Sequence, residues 1–223
     1  MTTLRELESL RCAVCGKTNP QVLLGSTNTF GAPDLDTRPP EMMRSTIHYW
    51  VMECPDCRYA APDISEKAPP DVPPLVACGE YQAIECKFQR HSYLLERLGE
   101  FSSAGWTSLH AAWIADDRQD DETARRCRAR ALELWKRGRL SGQKFMEDVD
   151  SEFALATDLL RRCGEFEQAR QTCIEGLNEP RLTPAIEDIL RLQLTLISRQ
   201  DRRAHSMAEI PKRPRGGERV VLS

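Results

Sequence analysis

The sequence predicts an α+β protein, with a small N-terminal β module followed by an all-α helical array. Three observations carry this reading. Ten of the 14 prolines fall within residues 1–75, where long helices are therefore not expected. Cys12, Cys15, Cys54 and Cys57 form two CxxC pairs inside the same stretch. Beyond it, apolar residues recur three, four and seven positions apart, the helical period. The predicted boundaries are a β module over 1–66, a Pro-rich linker over 67–75, a helical domain over 76–200 and a flexible basic tail over 201–223. A chain of 223 residues is long enough to bury a substantial core.

In the front part, residues 22–24 and 27–30 read as short strands. Residues 46–52 read as the strongest strand, being β-branched and aromatic and running into the second cysteine pair. Residues 31–40 between them carry the Gly, Pro and Asp of a turn-rich loop. The prolines of 67–74 suit a stiff connector. Six helices are then predicted. Ala77, Tyr81, Ile84, Phe88, Leu95 and Leu98 form the stripe of the first, and Gly99 its stop. Trp106, Leu109, Ala112 and Trp113 mark the second, and Asp116, Asp117, Asp120 and Asp121 a turn after it. The third carries Ala124, Cys127, Ala131, Leu134 and Trp135, ending near Gly138 among basic residues. The fourth covers roughly 145–162 and breaks at Gly164. Phe166, Ala169, Cys173 and Leu177 mark the fifth. The sixth opens at Thr183-Pro184, a cap residue followed by a proline at the first helical position. Residues 199–223 hold seven basic and three acidic residues, which makes the tail the one basic segment.

The chemistry lies in the cysteines. Two residues between each pair let one tight turn aim both sulfurs at a point, and two such turns make a tetrahedral S4 site. Four thiolates favour zinc in a structural role, with iron held by the same two knuckles as the other metal reading. The front segment has too few large apolar residues to fold alone, and a metal would supply the missing free energy. Gly16 suits the left-handed residue closing the first turn, and Arg58 departs from that pattern in the second. His48 reads as a packed or surface histidine, because four sulfurs fill the coordination sphere. Cys78, Cys86, Cys127, Cys163 and Cys173 read as core or surface thiols.

Residues 153–170 resemble a tetratricopeptide repeat through Ala156, Thr157, Leu160, Gly164, Phe166, Ala169 and Cys173, with Pro180 near the closing position. The preceding helix pair matches more weakly, and Ala124 and Ala169 are 45 residues apart against a period of about 34. Roughly residues 10–200 also resemble a bacterial family of unknown function that joins CxxCG and CPxCxYA knuckles, a zinc-ribbon-like module, to tetratricopeptide-like helices. The matching residues are Cys12, Cys15, Gly16, Cys54, Pro55, Cys57, Tyr59, Ala60, the loop from Asp34 to Arg38, and Tyr49. The resemblance implies a cytoplasmic bacterial protein and no particular activity.

Function classes narrow accordingly. No run of 18 apolar residues exists, and the N-terminal residues lack a secretory core, so a cytoplasmic location without a membrane span is expected. A protein-interaction adaptor is the leading expectation. A concave helical surface would take an unknown protein partner, and Asp34, Asp36 and Arg38 would form a contact loop. Nucleic-acid binding could use Tyr49, Trp50 and Tyr59 for stacking, but residues 1–75 hold seven basic against ten acidic residues. A cysteine-based redox or metal enzyme is the remaining alternative, but two pairs exceed what one dithiol exchange centre needs, and no phosphate loop, HExxH or nucleophile elbow supports catalysis. The cluster of Asp116, Asp117, Asp120 and Asp121 near His110 reads as solvated carboxylates.

Overall fold

The computed structural model describes residues 2–211. It is an α+β fold. A hairpin of β1 (Thr3–Arg11) and β2 (Thr18–Ser26) leads into a loop, and a two-residue ladder pairs β3 (Met52–Glu53) with β4 (Ala60–Ala61). Eight helices follow: α1 (Val72–Ala77), α2 (Gly79–Ala83), α3 (Lys87–Arg97), α4 (Phe101–Asp117), α5 (Asp121–Leu140), α6 (Val149–Cys163), α7 (Phe166–Leu177) and α8 (Pro184–Ser198). Only some ends carry side-chain or glycine caps, and Thr183, expected to cap α8, makes no cap hydrogen bond. Asp120 accepts the Thr123 amide at the start of α5, and Gly164 at φ +89° closes α6.

Several elements differ from the sequence reading. Residues 46–52 are not a strand: Arg44–Tyr49 is a 3-10 helix that packs Ile47 into the helical core, and only Met52–Glu53 pairs. The β-branched signal reports burial on one side, which a short helix satisfies as well. β1 carries no strand signal in the sequence, because its apolar residues are sparse among charges. The linker of 67–75 is not a spacer. Its prolines open α1, where a missing N–H costs nothing, and Val72 and Val76 are buried. The first long helix is broken into α1, α2 and α3, and Gly138 lies inside α5, its bare Cα close to Phe101 and Ser102 of α4. The tail of 201–223 is packed at its start. Asp34 bridges to Ser206, and Leu35 N–H donates to the His205 carbonyl at 2.8 Å. Residues 212–223 lie outside the described residues.

The front segment and the helices share their cores, so the expected boundary at residue 66 is not a seam. Ile47, Val51 and Ala60 pack with Phe88, Leu109, Trp113 and Leu155. Leu35 packs with Ala154, Ala169, Cys173 and Leu190. Between these clusters runs a buried ionic lattice. The Asp36 carboxylate accepts from Trp113 Nε1 at 2.9 Å and Arg162 Nη1 at 2.6 Å, with Arg128 at 4.0 Å. Arg162 Nη2 also donates to Asp116 at 2.8 Å, which Arg128 engages as well, and Arg38 donates to both oxygens of Asp117 at 2.7 and 2.8 Å. Next to it, Asp158 is held below the usual carboxylate range. Burial pushes it up, but Arg161 and Arg162 outweigh that.

Four tryptophans and His110 form a second structural unit. Trp50 meets His110 edge-on at 5.1 Å, Trp113 lies 4.9 Å from the same ring, and Trp135 stacks on Phe145 at 4.4 Å. Burial pushes His110 and His91 down to about 4. Their folded pKa lies below the unfolded value, so the stability they allow is complete above about pH 6.5 and is lost as pH falls toward about 4.

Two expected outcomes follow from this packing. Arg162→Met takes from the buried Asp36 its closest cation, leaving it Trp113 and the more distant Arg128, and costs about 3–5 kcal/mol in urea unfolding, whereas Asp36→Asn with Arg162→Met costs less than the sum of the single changes. Lowering the pH from 6.5 to 4.5 weakens the wild type by about 2 kcal/mol more than His110→Phe, read from the unfolding free energies of urea titrations at the two pH values.

Candidate metal centre

The four predicted ligands converge. Cys12, Cys15, Cys54 and Cys57 place their sulfurs within 4.8 Å of one another, and this is the one such cluster of three or more His, Cys, Asp or Glu ligands among the described residues. Across the knuckles, Cys12 Sγ lies 3.7 Å from Cys57 Sγ and Cys15 Sγ 3.6 Å from Cys54 Sγ. A tetrahedral ion about 2.3 Å from each sulfur would set them about 3.8 Å apart, so the cluster is sized for an S4 metal site. His48 stands apart on the 3-10 helix, exposed, and only its carbonyl is engaged, by Lys87.

Each knuckle is a backbone turn. In the first, Gly16 N–H donates to Cys12 O at 2.9 Å and Cys12 N–H to Lys17 O at 2.9 Å, with Gly16 at φ +73°. In the second, Arg58 N–H donates to Cys54 O at 2.8 Å and Cys54 N–H to Tyr59 O at 2.9 Å. Arg58 sits at φ +63°, the left-handed position that the sequence marked as unusual for arginine. Its side chain accounts for the choice. Nη1 and Nη2 donate to the Gln82 and Ile84 carbonyls at 2.6 and 3.1 Å, capping the end of α2. Hydrogen bonds from a charged donor stabilise by about 1.5–3 kcal/mol. That offsets a left-handed penalty of about 1–2 kcal/mol.

Three supporting residues carried no signal in the sequence. Asn19 is buried and donates to Cys54 Sγ at 3.5 Å. Tyr81 donates to Arg58 O at 2.9 Å and accepts the Ala60 N–H at 3.1 Å. Gln82 donates to Cys57 O at 3.0 Å. Such partners aim ligands and temper the charge on sulfur, and spacing cannot find them because they come from β2 and α2. At the surface, Lys17 and Asp56 join the two knuckles at 2.6 Å.

The thiols differ in environment. Burial pushes Cys12 and Cys57 up, away from the thiolate. Cys15 is lowered: burial opposes, but the Lys17 amide and the neighbouring sulfurs outweigh it. Four sulfurs this close cannot all ionise without a cation to neutralise them, so the donor set suits a metal far better than four free thiols.

The remaining sequence candidates fall elsewhere. Asp34, Asp36 and Arg38 are not an exposed contact loop: they are 8%, 1% and 7% exposed and belong to the ionic contacts, Asp34 with Arg44 at 2.7 Å. Charged residues on a rigid turn can face inward when arginines wait for them. Asp116 is committed to Arg128 and Arg162, Asp117 pairs with Arg38 while staying exposed, Asp120 is a helix cap and Asp121 is exposed. The stacking platform is not formed either. Tyr59 is buried, and Trp50 packs on His110 and Trp113 while its indole N–H binds Thr46. The other five cysteines are free thiols, Cys127 and Cys173 buried. No protein-family model, curated protein or solved structure matches the chain.

Replacing Cys54 by Ser removes stoichiometric divalent-metal binding, and Cys86→Ser leaves it intact. Metal analysis of the two purified variants checks both outcomes.

Proposed function

We propose that the protein is a non-catalytic zinc-binding scaffold that serves as a protein–protein interaction adaptor. The observation that carries this reading is the closed set of four sulfurs. When all four tetrahedral positions come from the protein, no position is open to water or substrate, which is the signature of a structural site. Zinc is the metal assigned, on the softness and charge of four thiolates, over iron in the same cage. The architecture also supports kinship with bacterial proteins that join two cysteine knuckles to tetratricopeptide-like helices. Small residues at the α6–α7 contact are consistent with that kinship, Ala169 among those the resemblance names and Gly176 beyond them. A Cβ on Gly176 would meet Phe153 at 2.7 Å and Leu190 at 3.0 Å, and Ala169 is buried.

The adaptor surface has to be an outer one. Residues 34–51 lie against α4, α6 and α8 through Leu35, Asp36, Ile47 and Trp50, filling with the protein's own chain the face expected to take a partner. A large groove, about 770 Å³, lies between α3 and α5 over α4. Lys87, Arg126, Glu85 and Asp120 give it charge of both signs, suited to a protein segment of mixed charge rather than to nucleic acid.

The tests separate the two halves of the reading. The purified chain should carry one zinc, and a chelator should unfold the front module, seen as lost protection of residues 10–63 in hydrogen exchange. Iron in the site, or a chelated protein with unchanged protection there, defeats the structural-zinc reading. Native affinity capture should retrieve a protein that Arg126→Glu no longer retains. Identical retention, or none by the wild type, defeats the adaptor reading.

A further inference from the structure

A second groove, about 650 Å³, opens where the C-terminal ends of α6 and α8 meet the start of α5. Arg162, Arg199, Arg202 and Arg203 line it, against Asp121 and Asp201 alone among acidic residues. The carboxylates do not balance the three loop arginines. Arg203 takes Asp201 at 2.5 Å, Arg202 reaches Asp121 only at 3.6 Å, and Arg199 is exposed with no carboxylate partner among the described residues. Arg162 forms the inner wall, fixed by Asp36 and Asp116.

The groove is held open by a buried frame. Arg161 is fully buried and donates to the Arg203 carbonyl at 3.0 Å and to the Asp201 carbonyl, while Asp158 and Gln193 orient its guanidinium at 2.6 and 2.9 Å. Gln200 turns the chain at φ +52°, and His205 sits 3.3 Å from Asp201 on the far side. Three exposed guanidiniums thus project from a five-residue loop clamped at its carbonyls. No aromatic or aliphatic residue lines the groove, so it has no surface on which to stack a base or pack a chain.

We propose that this groove binds a compact ligand bearing one or two phosphoryl groups. Three exposed guanidiniums that project from different points of the loop suit a tetrahedral ion with acceptors in every direction, whereas one planar carboxylate would satisfy a single fork. The excess of arginine supplies the charge complement to a dianion, and the preformed loop removes most of the ordering cost. This assignment is independent of the metal and of the adaptor surface.

Inorganic pyrophosphate and inorganic phosphate are the probes, titrated calorimetrically into the full metal-loaded chain in a phosphate-free buffer, with ionic strength held constant by chloride. Saturable one-to-one binding is expected, weakened about tenfold or more by Arg199→Ala with Arg202→Ala, two exposed side chains outside the buried frame. Tighter binding of pyrophosphate assigns two phosphoryl groups, and equal binding assigns one. The proposal is overturned if neither probe saturates or if the double variant binds as the wild type does. It also falls if removing residues 212–223 abolishes binding while the double variant keeps it, because the basic tail would then be the site.

Discussion

The two knuckles are constrained first by the closeness of four sulfurs. They lie within 4.8 Å of one another, and Cys12 and Cys54 are buried in the core formed with Ile64, Val72, Val76 and Tyr81. Thiolates gathered at this spacing repel, and burial raises the cost of each charge. A cation reverses both effects at once. Because the second knuckle is tied to α2 through Arg58, Tyr81 and Gln82, the cluster anchors the first helices as well as the hairpins.

The second organising feature is the way the front segment lies on the helices. An independent module joined by a linker would leave a helical face open. Here Leu35, Asp36, Ile47 and Trp50 cover that face, and the ionic lattice around Asp36 and Arg162 makes the docking specific. Buried ion pairs contribute little net stability against an apolar alternative, but a mispaired arrangement is strongly disfavoured. The lattice therefore acts chiefly as a registration device for the 34–38 loop. The same arginine-rich end of α6 extends outward into the groove formed with residues 199–203.

Much of this was legible in the sequence, and the misses have physical causes. The knuckles were legible because paired cysteines two residues apart have few other uses. The helices α4 to α8 were legible because each carries a periodic apolar stripe and a stop or cap such as Gly164 or Thr183-Pro184. The 3-10 helix at 44–49 was not, since an apolar, β-branched run signals burial without specifying backbone. The loop from Asp34 to Arg38 looked like surface because charge usually is surface. Its partners lie as far as 126 residues along the chain, at Arg162. The support given by Asn19 to Cys54 carries no local pattern at all.

The sequence by itself determined the class of the fold, the four cysteines that cluster and the helices from α4 to α8, because these rest on covalent spacing and on periods of a few residues. Only the tertiary structure decided which charges are buried, which face of the array is covered and which arginines are left facing solvent. Those properties depend on desolvation and on Coulomb partners brought together from distant segments, and no local stretch of sequence encodes the distance between them.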